Sequence, residues 1–173
     1  MSSHSSDLIH TSRLLIRRVR TSEAPQYGAI NELRGNERDL ADTIQGWNSR
    51  GALQLFVILK GGQGSRDLTV REGVVVGFTQ ILAERNDLSE VSFRTHPSAY
   101  RRGYMKEALI GVFGWCFDML HRRDLLIETR SDNHAVIGLM RSLGLHGKRG
   151  SSWRESGIES VTYTFGRYTW LYR

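Results

Sequence analysis

Apolar and polar residues follow one period in the first part of the chain and another in the second. Leu14 to Val19 reads as a short strand. Thr21 or Ser22 stands where it would N-cap a helix that carries Pro25 in its first turn and runs to about Leu33. A second helix is expected from Asn36 to Asn48. Leu53 to Lys60 (LQLFVILK) is an apolar, β-branched run, and the GGQGSRDLTVREG that follows suits a mobile turn between antiparallel strands. Val74 to Ala83 is the next strand, Asn86 and Asp87 make a turn, and Ser89 to His96 is a strand ended by Pro97, which cannot donate to a ladder. These three strands form a meander.

From Arg101 to Leu120 the spacing becomes three and four, with Met105, Ala108, Leu109, Val112, Phe113, Cys116, Phe117 and Leu120 on one face of a long helix. Asp124 to Arg130 (DLLIETR) is a strand with an apolar centre, and Asn133 to Leu143 is a helix closed by Gly144. Gly147 to Gly157 is polar and unpatterned, and Val161 to Leu171 alternates as a final strand. The pattern predicts one mixed α/β domain over residues 1–173, with residues 1–9 a flexible tail.

Composition narrows the setting. Apolar residues make up 39% and charged residues 24% of 173, a globular balance, and no run is long and apolar enough to span a bilayer. The single Cys116 cannot form an internal disulfide, and no Cys and His cluster has metal-ligand spacing. A reducing cytoplasm is the expected compartment, with no membrane partner and no metal. A net charge of +6 and a pI near 9.9 leave nucleic acid, an acidic membrane or a phosphorylated cofactor as anionic partners. Nucleic acid has charge alone in its favour, because neither a recognition-helix pattern nor a basic stripe interleaved with aromatics is present.

The informative stretch is EVSFRTHPSAYRRGYMKEAL, residues 90 to 109, where a strand turns through Tyr100 to Gly103 into the long helix. A helix start offers unpaired N–H groups and the positive end of the dipole. Gly103 removes the side chain that would block a ligand, and Arg101, Arg102 and Lys106 add charge where a phosphate would lie. A glycine that merely permits a turn, flanked by solvated arginines, is the competing explanation.

The run from Pro97 to Leu109 resembles motif A of the GNAT acetyltransferases: Gln or Arg, two variable residues, Gly, one variable residue, then Gly or Ala. GYMKEAL is similar to the family's frequent GYATEAL, although Tyr100 and Met105 depart from the first and last signature places. DNHAVIGLMRSLGL is similar to the family's Asn-x-x-Ser helix ending in Gly-Phe, and TSRLLIRRV resembles the first strand of the ribosomal-protein-alanine acetyltransferase branch, RimJ/RimL-like in kind. The resemblance implies a central, mostly antiparallel twisted sheet of about six to seven strands, splayed between the fourth and fifth and flanked by about four helices. It implies acetyl-CoA in that splay, with pantetheine on the backbone of Phe93, Arg94 and Thr95, pyrophosphate on Arg101, Arg102, Gly103, Tyr104 and Met105, and a further anchor at Asn133. An N-cap role for Asn133 fits equally well.

The same resemblance implies transfer to a primary amine, on a peptide or a small molecule, by direct attack. An amine of pKa ~10 must lose a proton first, so a carboxylate near the splay is needed. Glu90 is the first candidate and Glu84 the second; His96, just before a proline, reads as a turn residue. Met140 stands where many relatives carry a Tyr acid and Val136 where they carry Ser, which keeps open a non-catalytic module that binds CoA or a protein. Cys116 reads as a core thiol, and Trp115, Phe117, Trp47 and Phe56 as packing; Trp153, Tyr163, Tyr168 and Trp170 are candidates to wall the acceptor pocket. A monomer or a homodimer paired through an edge strand such as the last is expected, and an acidic acceptor fits the basic surface.

Overall fold

The computed structural model describes residues 8–32, 36–60, 73–82, 87–152 and 157–173. Strands β1 (Leu8–His10) and β2 (Leu14–Arg18) lead through a 3-10 turn at Thr21–Glu23 to helices α1 (Ala24–Asn31) and α2 (Glu37–Ser49). Then come β3 (Leu53–Leu59), β4 (Val75–Ile81), β5 (Leu88–Thr95), a second 3-10 turn at Pro97–Ala99, and α3 (Tyr104–Asp118). The chain finishes with β6 (Asp124–Arg130), α4 (His134–Ser142), β7 (Lys148–Ser152), β8 (Glu159–Gly166) and α5 (Arg167–Leu171). All eight strands form one sheet in the order β1-β2-β3-β4-β5-β6-β8-β7. Its pairs are antiparallel except β5 with β6, which are parallel and joined through α3.

Strand alternation gives the sheet two apolar faces. Leu55, Val57 and Leu59 point toward α3, whereas Phe56 and Ile58, with Phe78, meet Tyr27, Leu40 and Ile44 of α1 and α2. That is why β3 is buried at every position. α3 is covered on more than its sheet side: Val112, Phe113, Cys116 and Phe117 are buried, Phe113 meets Phe165 and Trp170 edge-on with centroids 5.1 Å away, and a Cβ on Gly111 would stand 3.0 Å from Ile9. Each such ring or aliphatic group contributes about 1.5–3 kcal/mol by leaving water.

Several expectations are corrected. Leu8 and Ile9, expected in the tail, pair with Arg17 and Ile16 in β1, while residues 1–7 lie outside the described part. The unpatterned 147–157 segment contains β7, an edge strand of Lys, Arg, Gly and Ser with no buried stripe to reveal it. The last strand stops at Gly166, where a Cβ would come 2.7 Å from Asp124 Oδ1, and Arg167–Leu171 turns into α5, which sends Trp170 into the core. The sheet edges are therefore β1 and β7, and β8 is internal. With these additions the sheet has eight strands and the described residues form five α-helices.

The first helix is capped neither by Thr21 nor by Ser22. Glu23 accepts the Arg20 N–H at 2.8 Å and binds Arg17 bidentately at 2.9 and 2.5 Å, tying β2 to the helix entrance. Hydrogen bonding from Arg17 outweighs the cost of burial and holds the Glu23 carboxyl below its ordinary pKa. The turn expected after β3 falls mainly on residues 61–72, outside the described part.

Candidate active site

β5 and β6 pair over three positions only, Leu88 with Asp124, Ser89 with Leu125 and Glu90 with Leu126. Both strands continue, β5 to Thr95 and β6 to Arg130, without further pairing to each other. The expected splay is therefore present. Which backbone groups it exposes follows from the ladder on the other side. Leu82 N–H donates to Glu90 O and His96 N–H to Val76 O, both at 2.9 Å, so Glu90, Ser92, Arg94 and His96 turn their backbone toward β4. Alternation turns the N–H and C=O of Val91, Phe93 and Thr95 into the splay. Phe93 and Thr95 thus present their backbone to the opening, and the backbone of Arg94 belongs to the β4 ladder.

Side chains alternate in the opposite sense. Phe93 packs on the α3 side, whereas Glu90, Ser92 and Arg94 face α1 and α2, where Ser92 Oγ meets Gln80 Oε1 at 3.3 Å and Arg94 reaches Glu32 at 3.2 Å. Glu90 is half-buried beside the point where β5 and β6 part. The splay thus opens toward α3 on one face and toward a carboxylate on the other. Glu84 lies outside the described residues.

At the end of β5 the chain passes His96, whose Nδ1 accepts Ser98 N–H at 3.3 Å and lies 2.7 Å from the Ser98 hydroxyl; this histidine caps the 3-10 turn. Arg101 (φ 59°) and Gly103 (φ 75°) then adopt left-handed backbone, and Gly103 is the N-cap of α3 with no side chain to cap it. The first helical bond in this region is Glu107 N–H to Gly103 O at 3.1 Å, so the N–H groups of Tyr104, Met105 and Lys106 precede any intrahelical acceptor. A Cβ on Gly103 would meet only the Arg13 guanidinium, at 3.5 Å, which leaves the approach to those N–H groups open. These features fit a phosphate-bearing group.

Met105 does not obstruct that approach. It is buried, and its Cε would lie 2.8 Å from a Cβ on Gly77 of β4, so the space usually left by a small residue on the helix is supplied here by a glycine on the sheet. Tyr100, in the other departing place, is exposed.

Arg13 and Glu107 were not singled out by sequence reasoning. Glu107 accepts from the Thr11 hydroxyl at 2.5 Å, from Arg13 N–H at 2.7 Å and from Arg13 Nε at 2.6 Å, while Arg13 Nη1 donates to Arg102 O at 3.2 Å. The guanidinium also lies 4.7 Å from the Tyr104 ring centroid. Burial opposes ionisation of Glu107, and bonds from Thr11 and Arg13 overcome it, holding the carboxyl below its ordinary value. The β1–β2 connection thereby clamps the start of α3. Residues more than ninety positions apart gave no local signal; only the TSRLL resemblance touched this clamp.

The remaining candidates take bland places. Asn133 caps α4, its Oδ1 accepting Val136 N–H at 3.3 Å. Val136 packs against the core, and Met140 is fully buried. Cys116 is fully buried and desolvation pushes its thiol up to about 12, which leaves it no nucleophilic role. Trp115, Phe117 and Phe56 are core, as read from sequence. Tyr163 and Trp170 belong to the core on the α3 face, and Tyr168 is exposed on α5; Trp153 lies outside the described residues.

A parallel strand pair that opens after three residues is here continuous with an uncapped helix start. Residues 13–146 match the family model described as the acetyltransferase (GNAT) domain, and the chain belongs to the GNAT acetyltransferases, a family of acyltransferases that use acetyl-CoA. No curated protein matches the sequence. Among solved structures it resembles a GNAT-family acetyltransferase from Bacillus anthracis, at TM-score 0.70 and 17% identity over 92% of this chain and 98% of that one. It also resembles RimL, a ribosomal-protein alpha-N-acetyltransferase in complex with coenzyme A, at TM-score 0.73 and 13% identity over 92% and 98%. A variant of the spermidine N-acetyltransferase SpeG from Vibrio cholerae gives TM-score 0.75 and 11% identity over 93% and 98%. At these identities the likeness is one of fold. Among the described residues no helix is long and apolar enough to cross a membrane, and no group of three or more metal-ligating side chains occurs.

Proposed function

We propose that this protein moves the acetyl group of acetyl-CoA to a primary amine carried by a peptide N-terminus or a small molecule. The observation that carries the reading is the unpaired edge of β5 from Val91 to Thr95, which leads without a break to the Gly103 turn. The N–H and C=O groups of Phe93 and Thr95 hold pantetheine as an added strand would, and the α3 N-terminus with Arg101, Arg102 and Arg13 takes the pyrophosphate. Asn133 uses its Oδ1 as a helix cap, and its side-chain N–H remains to donate to the cofactor.

Bound acetyl-CoA supplies an acyl thioester, whose C–S bond is exchanged for a C–N bond. A β5 N–H directed into the splay steadies the carbonyl oxygen as it gains charge. Glu90, on the opposite face, accepts the proton of the incoming ammonium, directly or through water, and returns it to solvent. With Met140 buried, no side chain is needed to protonate the leaving thiolate, because a thiol of pKa ~8.5 departs unassisted. The single buried thiol accords with a cytoplasmic setting.

The test is turnover. Purified protein with acetyl-CoA is screened against peptide and small-molecule amines, followed by CoA release, beside Glu90→Gln. Expected is a drop in kcat of about 10²–10⁴-fold with acetyl-CoA affinity retained. Binding of acetyl-CoA with no turnover of any amine would assign the chain to the non-catalytic alternative, and unchanged kcat in the variant would remove Glu90 as the base.

A further inference from the structure

A cavity of about 360 Å³ lies between α4 and the β7–β8 hairpin, and no residue of the Gly103 turn lines it. Its size falls within the range of about 300–1,000 Å³ in which small molecules are held. The floor is apolar, made by Ile137, Leu145 and Val161. Its polar lining is Ser131, Arg141, His146, Arg149 and Tyr163, without a carboxylate among the described lining residues.

Among the described residues most of these groups have no side-chain partner. The Arg141 guanidinium, the His146 ring and the hydroxyls of Ser131 and Tyr163 make no hydrogen bond or ion pair among the described residues. Arg149 is the exception, with one nitrogen, Nη1, 2.8 Å from Glu159. Tyr163 is packed in the core and borders this space, and Arg141 lies near enough to offset part of the desolvation that raises the phenol's pKa. The floor depends on Gly147: a Cβ there would stand 2.5 Å from Val161 Cγ1 and 2.8 Å from the Tyr163 ring. Donors that line one cavity with no described acceptor among them, above an apolar floor, are the complement of an anion with an apolar body.

We propose that this cavity binds a small organic carboxylate, whose carboxyl group meets Arg141 and the Tyr163 hydroxyl while its apolar part rests on Ile137 and Val161. The site is separate from the splay. None of the lining residues belongs to β5 or α3, and β7 and β8 lie beyond β6 in the sheet order. Occupancy therefore requires no acetyl-CoA, and the proposal stands or falls independently of the transferase reading.

Benzoate is a suitable probe, with benzamide as its neutral counterpart. The measurement is a titration of the full chain followed by two-dimensional amide spectra, with shifts expected at Gly147 and at residues flanking Tyr163. Benzoate saturates and benzamide does not; Arg141→Gln weakens benzoate by about tenfold or more, the loss of one charge-assisted hydrogen bond. Arg141 is exposed, so the substitution leaves the fold intact, and His146→Gln serves as a second variant if it does not. Equal binding of benzamide, indifference to both substitutions, or absence of saturation at millimolar benzoate overturns the proposal. Displacement of benzoate by CoA also overturns it, by giving the cavity to the CoA site.

Discussion

Two helix beginnings in this molecule receive opposite treatment. α4 starts at Asn133, whose side chain takes up the Val136 N–H at 3.3 Å, just as Asn36 takes up the Asp39 N–H at 3.0 Å ahead of α2. α3 starts at Gly103, which has no side chain and holds a left-handed φ of 75°. The capped ends have spent part of their hydrogen-bonding capacity on the fold. The uncapped end keeps it, and there the clamp from Arg13 and Glu107 does the structural work that a cap does elsewhere. An open helix start that adjoins an open strand edge is what separates a ligand site from an ordinary helix entrance.

The strongest way to break this contrast is Gly103→Glu. A side chain at φ 75° is strained and its carboxylate repels phosphate, so calorimetry should find acetyl-CoA binding lost, by more than about 100-fold, with the fold retained. Retained affinity would move the phosphate away from this turn. Next is Met105→Ala, which empties the space between α3 and Gly77 and should lower unfolding free energy by about 2–4 kcal/mol in denaturant titrations. A smaller loss would mean that the helix settles onto β4. Asn133 sharpens the contrast from the capped side. Asn133→Ala should cost about 1 kcal/mol, and Asn133→Ser should restore stability but not acetyl-CoA affinity. Recovery of both by Ser would show a cap and nothing more.

The smallest effect concerns pH. The Glu107 carboxyl has a folded pKa below its ordinary 4.5, so its stabilisation is complete above that value and is lost as pH falls through the lower, folded pKa. Melting temperatures measured from pH 6 down to 3 should fall less steeply in Glu107→Gln than in the parent, from a lower plateau. Parallel curves would show that the clamp does not depend on this charge.

The parts of the fold legible in sequence are those where one face is buried against another element. The apolar stripe of α3 and the run in β3 write their burial into residue type, and the Gly144 terminus of α4 writes in its left-handed backbone. β1 and β7 sit at the sheet edges, where three or five residues pair on one side only, and the final alternation from Val161 did not register that Gly166 ends the strand against Asp124. The site divides in the same way. Gly103 and the turn around it were visible because a backbone conformation demanded a residue type, and the splay through family resemblance. The exchange of a small residue between Met105 and Gly77, and the reach of Arg13 to Glu107, were not visible, because each is a contact between distant segments that neither partner announces.

The three-pair seam between β5 and β6 has a kinetic side. The β2–β5 strands are sequence neighbours in the sheet order, with α1 and α2 between β2 and β3 and no described helix between β3 and β5. The seam closes a loop that contains the whole of α3, and only three residue pairs hold it. The order of assembly that follows puts the meander early and the seam late. The splay is then the last part of the sheet to be drawn together.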